Sequence, residues 1–537
     1  MSVHFTSISP GNPIKDGDVQ SLLAAINVEP HPNDLDDFHT LLAAVHDCAE
    51  FVDKLPDYQP VSDRFPRHNV HRALPEEQTL GHAWAHRFLI NGDAHGGTLA
   101  GKTVSVKDNI AVAGVPQLYG TDAFPPWTPT SDATVVTRVL ESGATIIGTS
   151  TCENLCHSTS SYTNAQGPVD NPYAAGYSAG GSTSGGAALV GAGLVDITLG
   201  ADQGGSIRVP ASLCGCVGLK PTHGLVPYSG ISSGDALNDH AGPITRSVYD
   251  AALVLDAICG YDGMDDRSLG APMPGSTTFA ANLNTSTSSL QGFKIGLLVE
   301  GFDRPGMQGS VCKSIREAAE RYRMLGAVVE DVSVPDHLLG PYIWTIQQRV
   351  AGCMNLLGTA HGRQGLQPTG LEVARLPWTS DSFQKCFPST QNVIINGLYL
   401  STRFPGLYYK TVNIARRLRD SFEAVFARYD VLITPTTPTV APPHSERSTP
   451  LESLRPSMGM TINTAIFNIT GQPAISIPVG FERSSADEAV RLPVGMQIIS
   501  GLGKDEKVLR AAHAWESNFD WRAEGSAGHE QGPLSLL

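Results

Sequence analysis

Apolar residues recur at three and four in DVQSLLAAINV (18–28) and in DDFHTLLAAVHDCAEFVDKL (36–55), the spacing that gathers them on one face of a helix. Residues 1 to about 85 therefore predict a helical arm, with a Pro- and His-containing link (58–77) at its end. From Gly101 the period changes. In KTVSVKDNI, Val104 and Val106 fall on one face of a short strand and Ser105 and Lys107 on the other, because side chains alternate along a strand. DATVVTRVLESGATIIGTST (132–151) reads as an amphipathic helix, a stop at Gly143 and a buried strand. The segment 242–263 predicts a helix entered after Pro243 and closed near Gly260. KIGLLVEG (294–301) predicts a strand, and VCKSIREAAERYRMLGA (311–327) a helix ending at Gly326. Residues of roughly 330–425 carry scattered Pro, Gly and aromatic residues and read as an irregular, variable wall. RYDVLITPTTP, QPAISIPVGF and RLPVGMQIIS then give core strands, and DEKVLRAAHAWESNF a closing helix. Strands alternating with helices predict an α/β fold, a sheet with helices on its faces.

Composition narrows the classes. The 537 residues are 41% hydrophobic and 17% charged, which describes a large buried core. The net charge of −15, with no Lys/Arg cluster, argues against nucleic acid as a partner. No basic and apolar leader opens the chain and no apolar run approaches bilayer length, so a cytoplasmic protein without a membrane partner is expected. Nine cysteines lack zinc-like spacing and read as buried, reduced thiols; no metal or cofactor is expected.

The chemistry-bearing stretch is GYSAGGSTSGG (176–186). Its first five residues match G-x-S-x-G, and His95-Gly96-Gly97 mimics the accompanying oxyanion motif, which would make Ser178 the nucleophile of an α/β-hydrolase-type esterase. Such an elbow needs a strand immediately before it. AQGPVDNPYAA, with two prolines and no β-branched run, predicts a loop instead. Lys107 in SVKDN, Ser182 in GGSTSGG and Ser206 in GADQGGSIRVPA supply a different set: a nucleophile, a relay and a base beside a Gly-rich turn.

The run GGSTSGGAALVGAGLVDITLGADQGGSIRVPA (180–211) resembles the core motif of the amidase signature family of serine hydrolases. The resemblance extends over GKTVSVKDNI, the NPY turn, GLKPTHGLVPYSG, DHAGPITRSVYDAA, DVLITPTTP, FNITGQPAISIPVG and LPVGMQIIS, about residues 95–515 apart from the divergent middle. The DQGGSIR form and the helical arm look most like the broad-specificity amidases found beside nitrile-degrading enzymes. The resemblance implies a central mixed, twisted β-sheet covered by helices on both faces, with 86–537 as the catalytic domain; the helical arm (1–85) itself suggests self-association, so a homodimer is expected. The resemblance makes Ser206 the nucleophile, Ser182 the bridging serine after a cis Gly181–Ser182 bond, and Lys107 the base. Ser182 rather than Ser184 keeps the family's spacing to Ser206. Burial is expected to lower the lysine's pKa so that it acts as base near neutral pH.

The backbone N–H groups of Gln203, Gly204, Gly205 and Ser206 are the expected oxyanion hole. Cys156 and Ser158, in CHSTSSY, are expected to contact substrate, with Asp202 and Gln203. Asp202 has a competing role in ordering the Gly-rich turn, as do Arg208 and Asp239, while His157, His223 and His240 are read as packing residues. Tyr342, Trp344, Phe387 and Tyr399 hint at an apolar acyl group. The reaction implied is hydrolysis of a small carboxamide through an acyl-enzyme, with carbamates and esters open to the same chemistry. Two alternatives remain at this point: the amidase subunit of a glutamine-dependent transamidation complex, and a non-catalytic scaffold. Retention of Lys107, Ser182 and Ser206 argues against the scaffold.

Overall fold

Twelve strands lie side by side in one mixed sheet in the computed structural model, which describes residues 8–62, 64–285, 289–445 and 448–523. In chain order the strands are β1 (His68–Arg72), β2 (Trp84–Asn91), β3 (Thr103–Lys107), β4 (Thr145–Ser150), β5 (Asp170–Asn171), β6 (Ala174–Ser178), β7 (Ile197–Asp202), β8 (Val217–Lys220), β9 (His240–Thr245), β10 (Lys294–Leu298), β11 (Val328–Val332), β12 (Val431–Pro435), β13 (Ala474–Arg483) and β14 (Arg491–Ile499). β5 and β6 form a separate hairpin; the sheet runs β1-β2-β4-β3-β7-β9-β8-β13-β14-β12-β10-β11. β3 is parallel to β4 and β7, and β10 is parallel to β11 and β12. The remaining neighbours are antiparallel.

Alternation along the strands divides the core between the two faces of the sheet. Val431 and Ile433 of β12 join the apolar cluster that holds Val508 and Leu509 of the Asp505–Asn518 helix. Leu432, between them, packs with Leu418 and Phe422 of the Leu407–Phe426 helix. Val104 and Val106 likewise meet the Thr134–Glu141 and Val248–Ile258 helices in the first cluster. The short Ser184–Gly191 helix packs its alanines against Ile244 of β9 and Ile207 in a third cluster.

Four sequence expectations change. The first 60 residues are a compact unit of their own, with helices Asp18–Ala24 and Leu35–Asp53, but 61–85, assigned to the arm and its link, belong to the second unit and supply β1 and the start of β2. Pro243 does not open a helix. It lies in β9, whose six residues are all buried, and the helix starts at Val248, where Ser247 Oγ accepts from the Asp250 N–H. Residues 330–425 are largely helical, over Gly340–Leu356, Pro388–Arg403 and Leu407–Phe426. Pro341 and Pro388 sit in the first turns of two of these helices, where a missing N–H costs nothing, so they mark helix starts rather than irregular chain. Finally, the stretch before Ser178 is not a loop but the β5–β6 hairpin, which stays outside the main sheet.

Candidate active site

Lys107 is the last residue of β3, and the neighbouring parallel strand β7 ends at Asp202. Two segments that follow strands are thereby brought together at one edge of the core. The Lys107 side chain is fully buried; its Nζ donates to Ser182 Oγ at 2.8 Å and to the Ala201 carbonyl at 3.3 Å. Ser182 follows a cis peptide bond from Gly181. The Thr183 N–H donates to the Ser206 carbonyl at 3.3 Å, which ties the Ser182 turn to the turn that carries Ser206. Ser184 faces elsewhere and donates to Glu153 Oε1 at 3.0 Å.

Asp202 holds the 203–208 turn from beneath. Its carboxylate accepts from the N–H groups of Gly205 (2.8 Å) and Ile207 (3.1 Å) and pairs with Arg208 through Nη2 at 2.9 Å and Nε at 3.1 Å. Asn468 Nδ2 donates to it at 2.8 Å. Burial opposes ionisation of Asp202, but the charge and hydrogen bonds of Arg208 outweigh it and hold the group below the ordinary carboxylate range. Asp202 is wholly buried and does not line the cavity, so its expected contact with substrate is corrected to a loop-ordering role. The oxyanion set is corrected in the same way: the Gly205 N–H is spent on Asp202, which leaves those of Gln203, Gly204 and Ser206 without a partner among the described residues.

Ser206, Gln203 and Gly204 open onto a cavity of about 650 Å³. Its other walls are residues 156–159, the Gly340–Leu356 and Pro388–Arg403 helices, and 450–462. Cys156 and Ser158 both line it. The Cys156 thiol lies against Lys107, Ser182 and Cys152; burial pushes its pKa up, but the Cys152 thiol and the Lys107 charge bring it below the usual thiol range. Of the four aromatics singled out, only Trp344 lines the cavity, its Nε1 donating to the Gln203 carbonyl at 2.8 Å. Phe387 is buried against the Tyr162 ring, and Tyr342 and Tyr399 are exposed.

Ser178 is fully buried; its Oγ donates to the Ser160 carbonyl at 2.9 Å and accepts from the Gly180 N–H at 2.9 Å. It does not line the cavity. His223 and His240 pack edge to face at 5.1 Å, and burial pushes His223 down to about 4 and His240 well below its ordinary value. His157 lines the cavity, where burial and the charges of Arg349 and Arg375 push it down to about 3. Asp239 pairs with Arg267. No group of metal-ligating side chains occurs among the described residues, and no helix among them is long and apolar enough to cross a membrane.

Several site residues escaped sequence reasoning. Thr464 Oγ1 donates to the Gly204 carbonyl at 2.6 Å, Gln203 Nε2 donates to Tyr228 Oη at 2.6 Å, and Asn468 joins Asp202 from 266 residues away. No local pattern marks such partners, because they are set by strand order. The Thr464 contact gives a first test. Gly205 has a φ of +142°, and a Cβ there would meet Thr464 Oγ1 at 2.5 Å and Val209 Cγ2 at 2.9 Å. Gly205→Ala is expected to displace the N–H donors and lower kcat by about 10²- to 10³-fold, the cost of losing an oxyanion donor. Steady-state kinetics, with a melting curve to verify folding, checks this.

A buried lysine bonded to a serine thus lies beside a Gly-rich turn whose own serine faces a cavity. The family model described as Amidase matches residues 68–509, so the chain belongs to the amidase signature family. An enantioselective amidase of Rhodococcus rhodochrous is 37% identical over 428 residues, which cover 78% of this chain and 80% of that protein. A glutamyl-tRNA(Gln) amidotransferase subunit of Synechococcus sp. (strain RCC307) is 35% identical, covering 79% and 84%. The crystal structure of the glutamyl-tRNA(Gln) amidotransferase subunit from Thermotoga maritima superposes with a TM-score of 0.65 at 30% identity, covering 82% of this chain and 87% of that one.

Proposed function

We propose that this chain is a stand-alone hydrolase of small carboxamides that works through Ser206, Ser182 and Lys107. The observation that carries the reading is the 2.8 Å bond from Lys107 Nζ to Ser182 Oγ, with Ser206 on the adjoining turn and open to the cavity. A serine hydroxyl is a weak nucleophile until its proton is withdrawn, and Ser182, both donor and acceptor, can pass that proton to Lys107. Ser206 Oγ attacks the amide carbon, and the oxyanion that forms takes hydrogen bonds from the N–H groups of Gln203, Gly204 and Ser206. The C–N bond then breaks as the relay returns the proton to the leaving nitrogen, releasing ammonia or an amine. Water, deprotonated along the same relay, cleaves the acyl-enzyme and regenerates Ser206. Carbamates and esters fit the same cycle.

The likeness to amidotransferase subunits supports a second reading, in which the same chemistry releases ammonia from glutamine for a partner. One experiment separates the two. After exposure to a small fluorophosphonate, peptide mass spectrometry is expected to find the label on Ser206, and the chain alone is expected to hydrolyse simple amides. A label on Ser178 overturns the reading in favour of the esterase. A label on Ser206 with turnover of glutamine only, and only in the presence of a partner, favours the transamidation role.

A further inference from the structure

Most arginines that are wholly or partly buried among the described residues have partners. Arg208 pairs with Asp202, Arg267 with Asp239 and Asp265, and Arg375 with Glu372. Arg304 donates to the carbonyls of Glu300, Ile462 and His337, and Arg138 to a row of carbonyls from Ile258 to Tyr261. The Arg349 side chain makes no hydrogen bond or ion pair with any described residue; it is part-buried, and burial alone pushes its pKa down. A guanidinium stays charged at any ordinary pH, and Arg349 lies without a counter-charge on the wall of the cavity that Ser206 opens onto.

No aspartate or glutamate is among the described residues that line this cavity, and Arg349 is the only lysine or arginine there. Its neighbours on the wall are neutral. Ser389, Gln391 and Asn392 line the cavity from the facing helix, and the Ser389 hydroxyl, almost wholly buried, has no partner among the described residues. The wall therefore offers one formal positive charge with neutral donors beside it, a set that would balance a carboxylate rather than a doubly charged phosphate. Its position relative to the chemistry is set by one helix. Trp344 bonds to the Gln203 carbonyl, and Arg349 lies five residues further along the same helix, on the order of 7 Å of axial rise.

Building on the amide-hydrolase reading, we propose that the substrate is an amide bearing a carboxylate at the end remote from the scissile bond, and that Arg349 receives this carboxylate. A neutral amide leaves the guanidinium unpaired in the bound state, whereas a carboxylate of the right reach supplies two parallel N–H···O bonds. Arg349 is a specificity-determining residue on this account and takes no part in proton transfer.

Two matched pairs test it, one for each side of the scissile bond: adipic acid monoamide against hexanamide, and N-acetyl-γ-aminobutyrate against N-butylacetamide. In one pair the anionic member is expected to have the higher kcat/KM by at least about tenfold, and Arg349→Met is expected to erase that ratio mainly through KM, as loss of a charged hydrogen-bonded pair does. Arg349→Lys, which keeps the charge without the fork, is expected to retain part of it, and Arg349→Glu to invert it. Calorimetric binding of the same four compounds to Ser206→Ala, with and without Arg349→Met, decides the matter independently of turnover. A preference for the neutral member in both pairs, or an anionic preference that survives Arg349→Met in both kinetics and binding, overturns the proposal. Those results with Ser206 still labelled by the fluorophosphonate leave the amidase reading standing; no label on Ser206 and no amide cleaved defeats the amidase reading itself.

Discussion

Ser206→Ala is expected to lower turnover of any carboxamide by at least about 10⁴-fold, Lys107→Ala to cost nearly as much, and the double variant to be scarcely worse than Ser206→Ala alone. On the proposed mechanism the groups act as one unit: without the nucleophile the relay has nothing to deprotonate, and without the base the nucleophile keeps its proton, so the losses do not add. What survives in each variant is the contribution of the N–H donors and of substrate binding. The single variants differ in one respect. Lys107→Ala keeps Ser206 and its donors, so its residual rate should rise as pH rises and hydroxide replaces the missing base, whereas that of Ser206→Ala should not follow the same curve. Single-turnover measurements across pH on the two singles and the double check this. Additive losses would mean that Lys107 acts on something other than Ser206, and full activity in Lys107→Ala would remove it from the chemistry.

How far this site was legible in the sequence depends on how far apart its parts lie. Ser182 and Ser206 sit in one run of small residues, and the strand that carries Lys107 has its own alternation, so a resemblance over short stretches sufficed to single out all three as candidates. The strands that build the core were equally legible, because β12, β13 and β14 carry dense runs of apolar residues. What escaped was of three kinds. Prolines in 330–425 read as breakers, although at the first turn of a helix a proline loses no hydrogen bond. The N–H of Gly205 read as a free donor, because the loop-ordering role open to Asp202 did not say which N–H of the turn its carboxylate would take. Arg349 escaped for a third reason. An arginine on a helix is ordinarily solvated, and only the absence of a counter-charge along a closed wall makes it informative.

The other large effect falls on stability. Arg208→Met is expected to cost about 3–5 kcal/mol, the range for breaking a buried pair from one side. The pair is completely enclosed, and the arginine is also bonded to the Thr464 carbonyl, Gln497 Oε1 and Asn468 Oδ1, so it joins the nucleophile turn to the segment before β13 and to β14. Removing the guanidinium leaves the Asp202 carboxylate in a dry site, where burial, opposed only by its remaining hydrogen bonds and by Lys220, is expected to raise its pKa above the ordinary carboxylate value. The two proteins therefore respond to pH with opposite signs. In the unmodified chain the depressed Asp202 contributes stability that is present above the unfolded carboxylate value near ~4 and is lost as pH falls below it. In Arg208→Met the raised Asp202 is tolerated while protonated, and stability is lost as pH rises through its folded value. The destabilisation measured by urea titration should accordingly be larger at pH 7 than at pH 5. Asp202→Asn added to Arg208→Met should recover part of the loss at pH 7, because an amide carries no charge to strand. Equal destabilisation at both pH values, with no recovery in the double variant, would show that Arg208 stabilises the turn through its carbonyl and amide contacts and not through Asp202.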